Sequence, residues 1–278
     1  MKNDTGYLEF YEKLESPFSL TDGELWGKIE QRSTAQKQVK IFQINWTRYA
    51  AAAVVLILLG TTLFMKFYTN TILSEKGEHL SHMLPDGSTI HLNAETSVSY
   101  NLYWWNFNRE ISLSGEAYFD VVEEEKFTIV SENGVTEIFG TTFNIYARDE
   151  QYRVFCESGK VKVSSTVTDI NFVLEAGELA VIDNLNKDGR KTEVNVNELL
   201  AWKDNRFVFT SIPLLNVTEE FERQYDVSIN IKINNLSRLL YTGNFDKTPS
   251  VESALEIVCK SFGLTFVKTK NKTYNIVE

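Results

Sequence analysis

Side chains that hold metals or form disulfides are scarce in these 278 residues, which include three histidines and two cysteines. His79 and His82 would share a face only on a helical turn, and no cysteine or third histidine stands beside them. A zinc site therefore has no ligand set, and no metal or cofactor is expected. Cys156 and Cys259 lie 103 residues apart in segments of different periodicity, which favours two buried free thiols over a disulfide. Basic charge is also short. Residues 1–68 carry eight basic and seven acidic side chains, and the remainder carries 20 and 31, a net of −11. A portion this acidic repels phosphate backbones, so direct nucleic-acid binding is not expected.

Charge is missing altogether from Tyr49 to Met65, a run of 17 residues (YAAAAVVLILLGTTLFM) at the short end of what crosses a bilayer. Lys66 snorkels and brings Phe67 and Tyr68 into the interface, which lengthens the span. A buried core helix would keep a polar face, and the run begins too late for an ordinary cleaved signal peptide. The expectation is a single transmembrane helix over residues 48–68. Upstream stand Lys28, Arg32, Lys37, Lys40 and Arg48 against Glu30, whereas downstream Lys66 and Lys76 face Glu75, Glu78 and Asp86. The excess of basic residues upstream places the N-terminus in the cytoplasm and the C-terminus outside.

Residues 1–47 read as two short amphipathic helices. Tyr7, Leu8, Phe10, Tyr11 and Leu14 form one apolar stripe. Thr21-Asp22-Gly23-Glu24 has capping-box spacing ahead of Leu25, Trp26 and Ile29. Helices this short bury no core of their own. Leu8, Tyr11, Leu25, Trp26 and Ile29 are therefore the candidate contacts for a partner.

From residue 76 to 185 the period becomes two, with turn signals at Leu84-Pro85-Asp86-Gly87-Ser88, Gly115, Asn133-Gly134, Ser158-Gly159 and Ala176-Gly177. Strands are expected at 97–103, 109–113 and 116–122 on either side of Gly115, and onward to 179–182. This pattern predicts an antiparallel β-sandwich or β-roll. A linker is expected over 186–204. Residues 205–278 alternate strand and helix as βαβ-βαββ, a small α+β domain, with Ser250 capping and Gly263 closing the second helix.

Five segments carry a family likeness: LPDGSTIHLNAETSVSY, REISLSGEAYFDV, EIFGTTFNIYA, VFCESGKVKV and LEAGELAVI. In this order, behind a membrane helix, they resemble the FecR-type domain of transmembrane anti-sigma factors. The C-terminal order, with YTGNF ahead of its second helix, resembles the C-terminal domain of Bacteroidetes FecR-type proteins and is similar in plan to the secretin and TonB short N-terminal domain. The resemblance implies a single-pass protein of the bacterial inner membrane. Its cytoplasmic end would hold an ECF sigma factor. Its periplasmic end would meet the signalling domain of a TonB-dependent outer-membrane transporter for iron or glycan uptake. Release would involve periplasmic and intramembrane proteases. Some members cut themselves at a Gly-Thr bond, which here corresponds to Gly140-Thr141. A threonine hydroxyl is placed to attack the preceding carbonyl, and glycine leaves that carbon uncrowded.

Two rival functions rest on the residues themselves. Glu116, Asp120, Glu123, Glu124 and Glu125 offer paired carboxylates of the kind glycoside hydrolysis needs. However, Glu116 follows a turn glycine and the last three read as a solvated loop, so no enzyme is expected. Tyr103, Trp104, Trp105 and Phe107 form an aromatic cluster that would suit a membrane-anchored carbohydrate-binding sensor, a core, or a protein contact.

Overall fold

The computed structural model describes residues 21–34, 46–123, 126–194, 196–233 and 239–278. The stripe containing Leu8 and Tyr11, and the acidic pair Glu124-Glu125, lie outside the described residues.

The helix Asp22–Thr34 starts where the capping signal falls. The Thr21 backbone N–H donates to the Glu24 carboxylate at 3.0 Å, the reciprocal half of a capping box. The helix Trp46–Phe67 is 22 residues long and none of its apolar stretch is buried by the chain. At 1.5 Å per residue it spans about 33 Å, enough for a hydrocarbon core of about 30 Å. Thr61 and Thr62, its polar side chains in mid-run, donate back to the Ile57 and Leu58 carbonyls at 2.8 and 2.7 Å, so neither hydroxyl requires an outside partner.

A 13-stranded sheet follows. Its organising strand is β5 (Arg109–Asp120), and the expected turn at Gly115 is instead a bend within this one strand. Gly115 has φ +114°, and a Cβ there would lie 2.5 Å from Thr96 Oγ1 and 2.8 Å from Thr96 Cα. Only glycine admits so close an approach, so the glycine marks a crossing between layers. The first half of β5 bonds β4 (Thr96–Tyr100) and β6 (Phe127–Val130). The second half bonds β3 (Thr89–Leu92) and β8 (Thr142–Arg148). The sheet thereby folds into two layers with one core between them, including Ile111, Phe119, Phe127, Ile129, Phe143 and Val154. Pairing is antiparallel except between β5 and β6, which are parallel. Phe119 and Phe143 stack at 5.0 Å across adjacent strands.

The sheet also extends past the expected limits. β1 (Asn70–Ser74) pairs β4 directly after the apolar helix, and β13 (Asp188–Glu193) pairs β12 (Glu178–Asp183) inside the expected linker. Residues 188–193 (DGRKTE) have no apolar alternation and form an edge strand through the backbone ladder to β12, with Lys191 Nζ paired to the Glu178 carboxylate at 2.8 Å. His79 and His82 lie at and within β2 (Leu80–Met83), so they share no helical turn.

The C-terminal part runs β14 (Arg206–Pro213), helix Leu214–Tyr225, β15 (Ser228–Ile231), β16 (Leu240–Asp246), helix Val251–Phe262, β17 (Thr265–Lys268) and β18 (Thr273–Val277). Two small sheets result, β14-β16 and β15-β18-β17, over a second core centred on Phe221, Leu255 and Ile276. Ser250 Oγ accepts from the Ser253 N–H at 3.3 Å and Gly263 closes the second helix at φ +68°. Sheets this narrow have outer strands that pair on one side among the described residues, although the outward Ile229 N–H of β15 donates to the Glu222 carboxylate.

Candidate functional site

Residues 76–123 and 142–185 meet the C-terminal part through a buried polar knot. Gln224, on the last turn of the helix Leu214–Tyr225, is 3% exposed and its amide is fully used. Its Nε2 donates to Asn93 Oδ1 at 2.7 Å and Glu220 Oε1 at 2.9 Å. Its Oε1 meets His79 Nε2 at 3.0 Å and Lys247 Nζ at 3.2 Å. The backbone joins in, because the Gly77 N–H donates to the Arg223 carbonyl at 2.8 Å. Burial, and then the Lys247 charge, hold the His79 imidazole below its ordinary pKa, which favours the neutral ring.

Asn93 passes the network inward. Its Nδ2 donates to Glu116 Oε2 at 2.8 Å, and Asn144 Nδ2 donates to Glu116 Oε1 at 2.9 Å. Glu116 is therefore a buried member of β5 and not a residue beside a turn. Burial, with the nearby Glu220 charge, pushes its carboxyl above the ordinary range. Its hydrogen bonds go to structural asparagines, whereas Asp120 at the end of the same strand is exposed. A peg completes the junction. In the 3₁₀ turn Ala201–Asp204, Trp202 is 9% exposed and edge-on to His79 at 5.5 Å, and Lys203 Nζ sits 3.1 Å from the Tyr118 ring centroid. A cleft of about 370 Å³ opens beside this junction, with Asn144, Arg153, Trp202 and Phe209 among its walls.

Gly140-Thr141 lies between β7 (Gly134–Ile138) and β8. Gly140 has φ +131°, and a Cβ there would come within 2.5 Å of Glu123 Cα, so glycine is required sterically and conformationally. Thr141 is 5% exposed, and its hydroxyl has no hydrogen-bond partner among the described residues. Its carbonyl accepts from the Val121 N–H at 3.1 Å, which fixes the peptide in the sheet. An unpartnered hydroxyl next to a glycine carbonyl in strained backbone has the minimum parts for an N-to-O acyl shift.

The helix Asp22–Thr34 leaves Leu25, Trp26 and Ile29 at 38, 70 and 53% exposed. The remaining candidate residues have structural partners. His82 Nε2 meets the Tyr100 hydroxyl at 3.0 Å and His91 Nδ1 meets Ser81 Oγ at 2.7 Å. Cys156 and Cys259 are free and buried, and burial pushes both thiols up to about 11. The sequence reading missed Gln224, Asn93 and Trp202. The one available signal was a glutamine on the inner face of an amphipathic helix.

An apolar helix long enough to span a bilayer is thus joined to a two-layer β domain and a small α+β domain, a build consistent with single-pass membrane anchoring. Comparison with known proteins identifies the family. The model of the FecR protein family matches residues 70–162, and that of the FecR C-terminal domain matches residues 206–276. The chain belongs to the FecR-type anti-sigma factors. Two crystal structures of a candidate anti-sigma factor from Parabacteroides distasonis, at 2.50 and 1.65 Å, share the fold. One has 26% identity and a TM-score of 0.70 over 76% of this chain and 99% of that one. The other has 26% identity and a TM-score of 0.69 over 75% and 99%. No curated protein sequence matches the chain.

Proposed function

We propose that this anti-sigma factor sits in the bacterial inner membrane with its N-terminus in the cytoplasm. In this reading it relays a periplasmic signal from a TonB-dependent outer-membrane transporter to an ECF sigma factor. The observation that carries the cytoplasmic half is the stripe Leu25, Trp26 and Ile29, apolar and exposed on a capped helix too short to stand alone. Such a stripe suits a groove on a partner, and a tryptophan at its centre suits an energetic anchor. The periplasmic half is supported by the outer strands of the two small C-terminal sheets, which pair on one side among the described residues and suit pairing with a strand of the transporter's signalling domain. Between the two ends, the knot around Gln224 would hold the C-terminal domain against the β domain until the transporter engages it. Proteases of the periplasm and membrane would then cut the chain.

The test is a pull-down of the co-expressed sigma factor by the full chain and by Leu25→Ala/Trp26→Ala. Loss of two anchors worth about 2 kcal/mol or more each weakens capture by well over tenfold. Undiminished capture by the double variant would refute the assignment of this stripe.

A further inference from the structure

The aromatic cluster at residues 103–107 is split by the fold. Trp105 enters the core at 2% exposed, edge-on to Tyr100 at 5.3 Å and to Phe127 at 5.6 Å. Its neighbours stay outside in the turn that joins β4 to β5. The turn is built by Asn101 Oδ1 accepting from the Trp104 N–H at 2.9 Å, and by the Trp104 carbonyl accepting from the Phe107 and Asn108 N–H groups at 2.9 and 3.1 Å. It leaves Leu102, Tyr103 and Phe107 at 39, 47 and 75% exposed, with Trp104 against Phe107 at 4.8 Å. Residues 101–108 (NLYWWNFN) hold no charged side chain, although the chain beyond residue 68 carries a net of −11. A built turn that presents a neutral apolar patch on an acidic protein calls for a partner.

The same turn touches the exit of the apolar helix. The Tyr103 ring lies 5.2 Å from Tyr68 and 6.4 Å from Phe64, which are themselves 5.5 Å apart. Asn101 Nδ2 donates to the Lys66 carbonyl, one of the last carbonyls of that helix and otherwise without a helical partner. Phe64 and Tyr68 are separated by one turn, about 6 Å along the axis, so Tyr103 shares the level at which the helix leaves the hydrocarbon. Aromatic side chains with an apolar body and a polar tip are favoured in that layer. A sugar platform is the poorer fit, because Trp104 and Phe107 are inclined by 37° and share no flat face.

We propose that the turn Asn101–Asn108 is a membrane-docking loop. Leu102, Tyr103, Trp104 and Phe107 insert into the headgroup–acyl boundary of the bilayer from which the helix Trp46–Phe67 emerges, and they seat the β domain on the membrane surface. The inference rests on that helix spanning the membrane. The occupant is the lipid boundary because helix and loop are joined at one depth and because a neutral patch meets an anionic leaflet without repulsion.

The test uses the full chain with Cys156 and Cys259 replaced by Ala, in nanodiscs of phosphatidylethanolamine and phosphatidylglycerol. An environment-sensitive nitrobenzoxadiazole label is placed through Phe107→Cys, through Leu102→Cys (which retains the rings of Tyr103, Trp104 and Phe107), or through Val173→Cys on an exposed strand as control. The labels at 102 and 107 should emit blue-shifted light and lose intensity with shallow nitroxide lipids, while the label at 173 does neither. Emission at 102 and 107 matching that at 173 would overturn the proposal, including when added glycan or protein then changes it. Alkaline extraction of membranes separates the two readings. A chain that resists extraction but has wet labels refutes the loop alone, whereas a chain that is extracted refutes the spanning helix and the loop with it.

Discussion

Replacing Gln224 by Met tests whether the polar knot holds the two outer domains together. Methionine keeps most of the side-chain volume and removes every hydrogen bond, so packing and polarity are separated. Two bonds crossing between the domains are lost, to Asn93 Oδ1 at 2.7 Å and to His79 Nε2 at 3.0 Å. Asn93 Oδ1 still accepts from the Ala94 N–H, and Glu220 still pairs with Arg223 at 3.1 Å. His79 is left worst, because its partly buried ring beside Trp202 loses the 3.0 Å bond to Gln224 and is left with the Asn93 side chain, itself already bonded to the Ala94 N–H and to Glu116. A buried donor deprived of its main partner costs about 1–3 kcal/mol, which corresponds to a domain-opening equilibrium shifted by about 5- to 150-fold. The readout is amide exchange of Gly77, whose N–H is bonded to the Arg223 carbonyl and is freed only when the domains part. In the full chain in detergent, mass spectrometry with electron-transfer fragmentation should show Gly77 exchanging faster by that factor. Ile129, deep in the sheet, should be unchanged. Equal acceleration at both sites would indicate global destabilisation. No acceleration at Gly77 would refute the clamp.

Other perturbations have defined outcomes. Asp86→Ala removes the carboxylate paired with the buried Arg109 guanidinium, since Asp86 is 4% and Arg109 8% exposed; urea denaturation should show a loss of up to about 3–5 kcal/mol. Glu116→Gln should alter the pH dependence of stability. A carboxyl with a raised folded pKa stabilises most below its unfolded pKa of about 4.5 and loses that contribution as pH rises through the folded value. Wild type should therefore weaken relative to the variant as pH climbs, and parallel curves would refute the burial argument. Phe119→Ala removes a fully buried ring stacked on Phe143 and should cost about 3–5 kcal/mol in the same assay. For self-cleavage, a denaturing gel of the full chain should show fragments divided at Gly140-Thr141, and Thr141→Ala should stay whole. An intact wild-type band refutes cleavage.

Local signals were legible where one segment determines its own state. The charge-free run at 49–65 specifies an apolar helix whatever surrounds it. Thr21 with Glu24, and Ser250 with Gly263, mark helix ends because a cap is satisfied within a single turn. Period-two alternation located most strands, since each buries one face. Where two segments meet, the reading failed. Gly115 looked like a turn because its need for glycine comes from Thr96, 19 residues away. Strand 188–193 was invisible because an edge strand held by its backbone ladder and a Lys191–Glu178 ion pair requires no apolar side chain.

The candidate site divides along the same line. By itself the sequence determined a membrane-length helix, an exposed apolar stripe at Leu25, Trp26 and Ile29, a glycine before Thr141, and the family. These depend on composition and near-neighbour spacing, which the chain carries openly. Tertiary structure alone decided that Glu116 is buried and keeps its proton more readily, that Gln224 uses all four of its hydrogen bonds, and that Trp105 goes inward while Phe107 goes out. The physical reason is that a polar side chain tolerates burial only when partners from distant segments arrive to satisfy it, and local sequence contains no record of their arrival.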